Sequence, residues 1–124
     1  MGDLTNLTWL DLSHNKLSEG IPTELGSLAN LEALSLGDNR LSGSIPSELG
    51  NLVNLQVLNL ASNQLSGPLP QGLTSLHALG TFYYDTALLC APDNTAFQAW
   101  LAGIPNRSTD GTTCKTCYLP ALMR

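Results

Sequence analysis

The residues best suited to covalent or metal chemistry are the cysteines, two of which form the motif Cys114-Lys115-Thr116-Cys117. This spacing occurs in redox sites and in zinc sites. A redox site needs the motif at a helix N-terminus in a βαβ context, which the flanking residues do not predict. A zinc site needs four ligands, and only Cys90, His14 and His77 could be added. A redox or metal protein is therefore a minor alternative.

No other pattern typical of catalysis is present. The sequence contains no nucleophile elbow around a serine and no glycine-rich run before a helix, and its carboxylates are scattered singly. A net charge of −5 argues against nucleic acid, which requires clustered basic residues. No apolar run reaches the roughly 18 residues of a membrane span. We predict a protein that is not an enzyme and has no catalytic residue, metal or cofactor.

A repeat of 24 residues organises the first ninety positions. Its columns include Leu4, Leu28, Leu52 and Leu76; Leu10, Leu34 and Leu58, continued by Phe82; and Pro22, Pro46 and Pro70. Such self-similarity is the signature of a repeat architecture. It divides residues 1–89 into units 4–27, 28–51 and 52–75 and a degenerate fourth unit, 76–89.

Each unit predicts one strand and one return path. Leu34-Ser35-Leu36 alternates apolar and polar residues, with the two-residue period of a strand that buries one face. The segment Leu41-Ser42-Gly43-Ser44-Ile45-Pro46 is predicted to lie at an edge or in a turn, because proline donates no hydrogen bond to a ladder. A short helical turn through Glu48-Leu49 leads into the next unit. One strand per unit predicts a parallel sheet along one side of a right-handed solenoid.

Asparagines recur in the same phase at Asn15, Asn39 and Asn63. Where a coil turns off its strand, backbone groups point inward and cannot reach water. A carboxamide offers two donors and one acceptor, so it can serve the turns of its own and of adjacent coils. We predict a structural ladder of asparagines that stops at Ala87.

The C-terminal segment leaves the repeat and predicts a capping helix. Apolar residues from Ala96 to Ile104 have helical spacing, with Asp93 or Asn94 as N-cap and Gly103 as the stop. Phe97 and Trp100 are predicted to cover the core of the last coil. We assign residues 90–117 to this cap and 118–124 to a tail, and we predict loop and tail throughout residues 106–124.

Together these motifs resemble the leucine-rich repeat family, specifically its plant-type class of 24-residue repeats. The pattern of that class is Leu-x-x-Leu-x-x-Leu-x-Leu-x-x-Asn-x-Leu-Ser-Gly-x-Ile-Pro-x-x-Leu-Gly, and residues 28–51 fit nearly every position. The first unit departs at Glu19, and the third departs at Leu69 and Gly72. The resemblance covers residues 4–89 and is specific for fold, but fold alone does not fix activity.

The resemblance implies an α/β protein: a right-handed solenoid with a parallel sheet on its concave face, short 3-10 or helical turns on its convex face, and a C-terminal capping helix. Caps of extracellular members are fastened by cysteines, so Cys90 is predicted to pair with Cys114, or alternatively with Cys117. The chain then looks like the C-terminal portion of a receptor-like or secreted protein, located outside the cell or at its surface. The N-terminal coil has no matching cap, which predicts a fragment or self-association.

In this family the concave face commonly binds proteins, peptides or glycans, which predicts a recognition module here. The alternative is a structural or surface-adhesion role, including an ice- or glycan-associated one, with no specific single-residue site. Side chains predicted to point outward from the strands and their ends are the candidate ligand contacts. They are Trp9, Asp11, His14, Glu32, Ser35, Asp38, Asn59, Tyr83 and Asp85.

Two segments, Asn6-Leu7-Thr8 and Asn106-Arg107-Ser108, match the acceptor pattern for N-glycosylation. They are relevant only in a secreted protein. Asn6 and Asn106 are therefore candidate glycosylation sites.

Overall fold

The computed structural model of the chain describes residues 5–85, 88–108 and 112–113. Its main element is a five-stranded parallel sheet, hereafter the concave sheet. The strands, in spatial order, are β1 (Trp9–Asp11), β3 (Ala33–Ser35), β5 (Val57–Asn59), β8 (Thr81–Tyr83) and β10 (Asn106–Arg107). The predicted solenoid with one parallel strand per coil is confirmed.

The 24-residue period sets the register of this sheet. Leu10 pairs with Leu34, Leu34 with Leu58, and Leu58 with Phe82. The last three of these side chains are fully buried. Since side chains alternate across a strand, the residues on either side of each leucine face outward. Stacking of identical coils therefore builds one continuous core and one continuous outer face.

Two smaller parallel sheets lie beside the concave sheet, one in the first three coils and the other in the third to fifth coils. One contains β2 (Ser18–Glu19), β4 (Arg40–Gly43) and β6 (Gln64–Leu65), and the other contains β7 (Gly67–Pro68), β9 (Leu89–Ala91) and β11 (Thr112–Thr113). The prediction of an edge or turn at residues 41–46 is wrong for its first half, which lies in β4. Pro46 lies beyond the end of β4, so it removes no hydrogen bond from that ladder.

The convex side carries the 3-10 turns Thr23–Ser27, Ser47–Asn51 and Gln71–Ser75, and then the helix α1, Thr95–Ala102. Asn94 is the N-cap, since its side chain accepts a hydrogen bond from the Phe97 N–H at 2.8 Å. Gly103 is the C-cap, as predicted. All four convex elements begin 24 residues apart, so α1 occupies the position of a fourth convex turn.

The chain after α1 adds two strands of a fifth coil. β10 pairs with β8, Asn106 opposite Thr81, and β11 pairs with β9, Thr112 opposite Cys90. The prediction of loop and tail throughout residues 106–124 is therefore wrong for these two strands. Both contain only two residues and pair through their backbones, so they show no alternating apolar pattern.

The helix α1 closes the C-terminal end of the core. Phe97 is fully buried, and its ring meets that of Trp100 in an edge-to-face arrangement with centroids 5.2 Å apart. The Trp100 indole N–H donates a hydrogen bond to the Leu76 carbonyl at 3.1 Å. These residues cover the preceding coil, as the sequence predicts.

In the described part of the chain, the opposite end of the core is open along the first coil. Leu12 and Leu17 are 36% and 39% exposed, whereas Leu36 and Leu41, which occupy the same columns one coil later, are 2% and 4% exposed. A groove of about 220 Å³ is lined by all four of these leucines and by Leu25. We call this surface the first-coil edge.

Cys90 is fully buried in β9 and is disulfide-bonded. Both predicted partners, Cys114 and Cys117, lie outside the described residues. The strand β11 runs beside β9 and ends at Thr113, directly before Cys114 in the sequence. This proximity supports the pair Cys90–Cys114, which stays a prediction.

We expect Cys114→Ser to lower the free energy of unfolding by about 3 kcal/mol, because the bridge would close a loop of about 25 residues. Urea unfolding followed by circular dichroism measures the change. Cys117→Ser is the matched control and should leave stability unchanged. An equal loss in Cys117→Ser alone would instead assign the bridge to Cys117.

Candidate functional site

The outward side chains of the concave sheet form two rows that cross its strands. Their alignment follows from the strand register, in which each residue faces its counterpart in the next coil. The first row contains Trp9, Ala33, Val57, Thr81 and Asn106. The second row contains Asp11, Ser35, Asn59 and Tyr83.

A small residue between two larger ones creates a depression in the first row. Ala33 lies between Trp9, which is 69% exposed, and Val57, which is 37% exposed. The result is a depression of about 330 Å³, hereafter the Ala33 depression. Its lining consists of Thr8, Trp9, Asp11, Glu32, Ala33, Leu34, Ser35, Gln56 and Val57. Among the predicted contact residues, the structure brings Trp9, Asp11, Glu32 and Ser35 together here.

In the second row two polar side chains also hold turns at the strand ends. Asp11 accepts hydrogen bonds from the hydroxyl and the backbone N–H of Ser13, and Asn59 accepts one from the Ala61 N–H at 3.1 Å. The hydroxyl bond and then the N–H bond from Ser13 hold the pKa of Asp11 below its ordinary value. The Asp11 carboxylate therefore stays ionised at neutral and mildly acidic pH.

His14 and Asp38 lie next to this row on successive coils. The His14 Nδ1 is 2.7 Å from the Asp38 Oδ2. Both residues, together with Ser62, have positive φ angles of 59°, 58° and 61°, because the chain makes the same tight turn in each coil. The two side chains are exposed, so their pairing contributes little to stability.

Asp85 continues the stacking of these turns rather than pointing freely outward. Its two carboxylate oxygens accept the Ser62 and Asn63 N–H groups, each at 2.9 Å. One coil earlier the corresponding N–H groups donate to backbone carbonyls. The side chain of Asp85 thus supplies the acceptors that backbone carbonyls supply elsewhere. Both of its oxygens already accept hydrogen bonds from the preceding coil, and its contact with a ligand stays a prediction.

The asparagine column forms the hydrogen bonds of a ladder. The Asn39 amide donates to the carbonyls of Leu12 and Leu36 at 3.0 Å and of Gly37 at 3.2 Å, and its oxygen accepts the Leu17 N–H at 3.1 Å. Asn63 repeats this pattern one coil later. Each of these side chains therefore serves its own coil and the preceding one.

Sequence reasoning missed a second asparagine row. Asn30 donates to the Thr5 carbonyl at 2.7 Å, and Asn54 donates to the Ala29 carbonyl at 3.3 Å. The available signal was the same 24-residue period, which also includes Asn6. The candidate glycosylation residue Asn6 is thus in a column whose later members bond to the preceding coil.

The second candidate glycosylation residue, Asn106, is exposed at the last strand of the concave sheet. The hydroxyl of Ser108 donates to the Tyr84 carbonyl and accepts the Tyr84 N–H, both at 2.9 Å. The pKa of Tyr84 is raised by burial, so its phenol stays neutral at physiological pH. Glycosylation at either asparagine stays a prediction.

Within the described part of the chain, no group of three or more histidine, cysteine, aspartate or glutamate side chains could hold a metal ion. The Cys114–Cys117 motif lies outside that part. His14 lies on the surface beside Asp38. No helix among the described residues has the length and apolarity needed to cross a membrane.

Comparison with known proteins places this repeat architecture in a class. Residues 5–51 and 29–75 match a family described as "Leucine Rich repeats (2 copies)". The two matches together cover more than half of the sequence. The chain belongs to the leucine-rich repeat family. No curated protein sequence matches it significantly.

Similar solved structures include ectodomains of plant receptor kinases. The Arabidopsis receptor kinase HAESA, solved with the peptide hormone IDA and the co-receptor SERK1, is 35% identical with a TM-score of 0.73 over 82% of this chain and 17% of its own. The ectodomain of GASSHO1/SCHENGEN3 from Arabidopsis thaliana was solved in complex with CASPARIAN STRIP INTEGRITY FACTOR 2. It is 46% identical with a TM-score of 0.62, and the match covers 73% of this chain and 10% of the GASSHO1/SCHENGEN3 chain. The BIR2 ectodomain from Arabidopsis thaliana is 29% identical with a TM-score of 0.67, and the match covers 86% of this chain and 59% of the BIR2 chain.

The chain spans less than two thirds of the length of each of these structures. The likeness extends over 73% to 86% of this chain.

Proposed function

We propose that this chain is a non-catalytic recognition module that binds a peptide, or an extended segment of a protein, across its concave sheet. The observation that carries the proposal is the Ala33 depression, an apolar recess with polar borders on a sheet face that the described residues leave uncovered. Exposed aromatic side chains such as Trp9 are the residues that most often dominate binding energy. The similar HAESA structure contains a peptide hormone, which supports a ligand of this class.

The proposed location is outside the cell or at its surface, as part of a receptor-like or secreted protein. Two observations support it: the disulfide at Cys90 and the similarity to receptor ectodomains. Disulfides persist in oxidising compartments and are rare in the cytosol.

The alternative of a structural or adhesion role, including binding to ice or to a glycan, is less well supported. A binder of a flat, periodic surface should repeat one residue type along each row. The first row instead changes from Trp9 to Ala33 to Val57 to Thr81. Rows of unlike residues favour recognition of one irregular ligand.

The size of the concave sheet limits the affinity. Strands about 4.8 Å apart, each showing a few residues, make a face on the order of 300 Å². A stable protein partner covers about 800 Å² on each side. We therefore expect micromolar or weaker dissociation constants for peptides bound to this chain alone.

Selection of peptides from a display library on the immobilised chain tests the proposal. Enriched peptides should bind in solution, and Trp9→Ala should weaken them at least about tenfold, as loss of a central aromatic contact does. Val53→Ala is the matched control, because Val53 is also exposed but lies between the turn Ser47–Asn51 and β5. Peptides that lose affinity in Val53→Ala and keep it in Trp9→Ala would contradict the proposal, as would the absence of any enriched peptide.

The first-coil edge is proposed as a surface for a second copy of this chain. Leu12 and Leu17 form the same apolar patch on both copies, which suits a two-fold contact. Sedimentation velocity over a range of concentrations tests this proposal. A sedimentation coefficient that does not change with concentration would contradict it.

A further inference from the structure

The Ala33 depression carries negative charge as well as apolar surface. Asp11 and Glu32 border it, and none of its lining residues is a lysine or an arginine. In the described part of the chain the one ion pair joins His14 to Asp38. Among the described residues, the carboxylates of Asp11 and Glu32 therefore have no basic side chain within ion-pairing distance.

The arrangement of these groups fits one kind of side chain. Trp9 and Val57 offer apolar walls on either side of Ala33, against which the aliphatic part of a long side chain can pack. The indole face of Trp9 attracts a cation placed over it. Glu32 precedes Ala33 in the sequence and Asp11 follows Trp9 by two positions, so the carboxylates border the apolar surface.

We propose that the Ala33 depression is a subsite for one basic side chain, arginine or lysine, of the bound peptide. This inference rests on the proposed function and specifies the chemistry of its ligand. Arginine suits the subsite better, because its planar guanidinium can stack on Trp9 while donating hydrogen bonds to a carboxylate. Because the pKa of Asp11 is lowered, its carboxylate is ionised at neutral pH, where arginine carries its positive charge.

The probe is the tripeptide acetyl-Gly-Arg-Gly-amide, titrated into the intact chain while the indole N–H signal of Trp9 is followed by NMR. The glutamine and glutamate analogues are the comparison peptides. We expect the concentration that half-saturates the Trp9 shift to be about tenfold lower for the arginine peptide than for the glutamine peptide. The reason is that arginine adds one exposed cation–π contact and one or two exposed ion pairs. Equal titration by the three peptides would overturn the proposal.

The double variant Asp11→Asn/Glu32→Gln should remove this preference. Asparagine preserves the turn at position 11, since Asn59 makes the equivalent hydrogen bond to Ala61 two coils later. Glu24→Gln/Glu48→Gln is the matched control, which removes the same charge from exposed positions in the convex turns. An equal loss of preference in the control would show a general charge effect and would overturn the subsite.

The outcomes separate this inference from the proposed function. Display-selected peptides that bind the concave sheet without requiring a basic residue or the two carboxylates would overturn the subsite and leave the recognition module standing. Failure to select any concave-sheet peptide would contradict the proposed function itself.

Discussion

Phe97→Ala is expected to lower the free energy of unfolding by about 4 kcal/mol, the typical cost of truncating a fully buried phenylalanine. Phe97 fills the end of the core and supports the ring of Trp100. Removing it leaves a cavity between the helix and the coil that the helix covers. Urea unfolding followed by circular dichroism measures the loss.

Two further variants show whether this effect comes from the proposed position of Phe97. Trp9→Ala removes an aromatic ring that is largely exposed, so its stability should change by less than about 0.5 kcal/mol. Phe97→Leu restores the residue found at Leu49 and Leu73 in the same column, and should cost less than about 1.5 kcal/mol. A loss below about 1 kcal/mol in Phe97→Ala would contradict the account of the cap.

Asn39→Ala is expected to lower the free energy of unfolding by a similar amount, about 4 kcal/mol. The substitution removes the donor for three carbonyls and the acceptor for the Leu17 N–H. The bonds to the Leu36 and Gly37 carbonyls are part-buried, and each of these groups costs about 1–3 kcal/mol when left without a partner, whereas the two exposed bonds add less. Thermal and urea unfolding both report the change.

The matched control for the ladder is Asn54→Ala. Asn54 is also an asparagine in a 24-residue column, but its side chain makes one exposed hydrogen bond at 3.3 Å. We expect a loss of about 1 kcal/mol or less. Equal losses at Asn39 and Asn54 would mean that the ladder has no special role in stacking the coils.

The regular part of the fold could be predicted because the period repeats it. Leu34 and Leu58 predict the same buried position twice, so an error in one coil is corrected by the next. The position of α1 was predicted from its helical spacing, from Asp93 or Asn94 as its N-cap and from Gly103 as its stop, and the structure selects Asn94. Local signals of this kind do not depend on distant parts of the chain.

The fifth coil could not be predicted because its pattern departs from the repeat. Asn106 pairs with Thr81, which lies 25 positions earlier instead of 24. One added residue moves the strand out of phase. Strand pairing there depends on backbone hydrogen bonds, such as that from the Asn106 N–H to the Gly80 carbonyl, which side-chain patterns do not reveal.

The sequence predicted which residues form the outward face of the candidate site, but it did not predict the recess in that face. Trp9, Glu32 and Asp11 were identified as outward residues, whereas the recess comes from the small size of Ala33 between two neighbours brought together by register. The turn-forming bonds of Asp85 also depend on geometry, because an aspartate at that position could equally point into solvent. Sequence periodicity shows which residues share a face, and the structure shows which of them leave room for a ligand.

Chemical-shift mapping of a display-selected peptide on the isotope-labelled chain is the most direct test of recognition by the concave sheet. The account predicts that the largest backbone shifts fall in β1, β3 and β5 around the Ala33 depression, with little change in the turns Thr23–Ser27 and Ser47–Asn51. Shifts concentrated in those convex turns, with the concave strands unchanged, would contradict it.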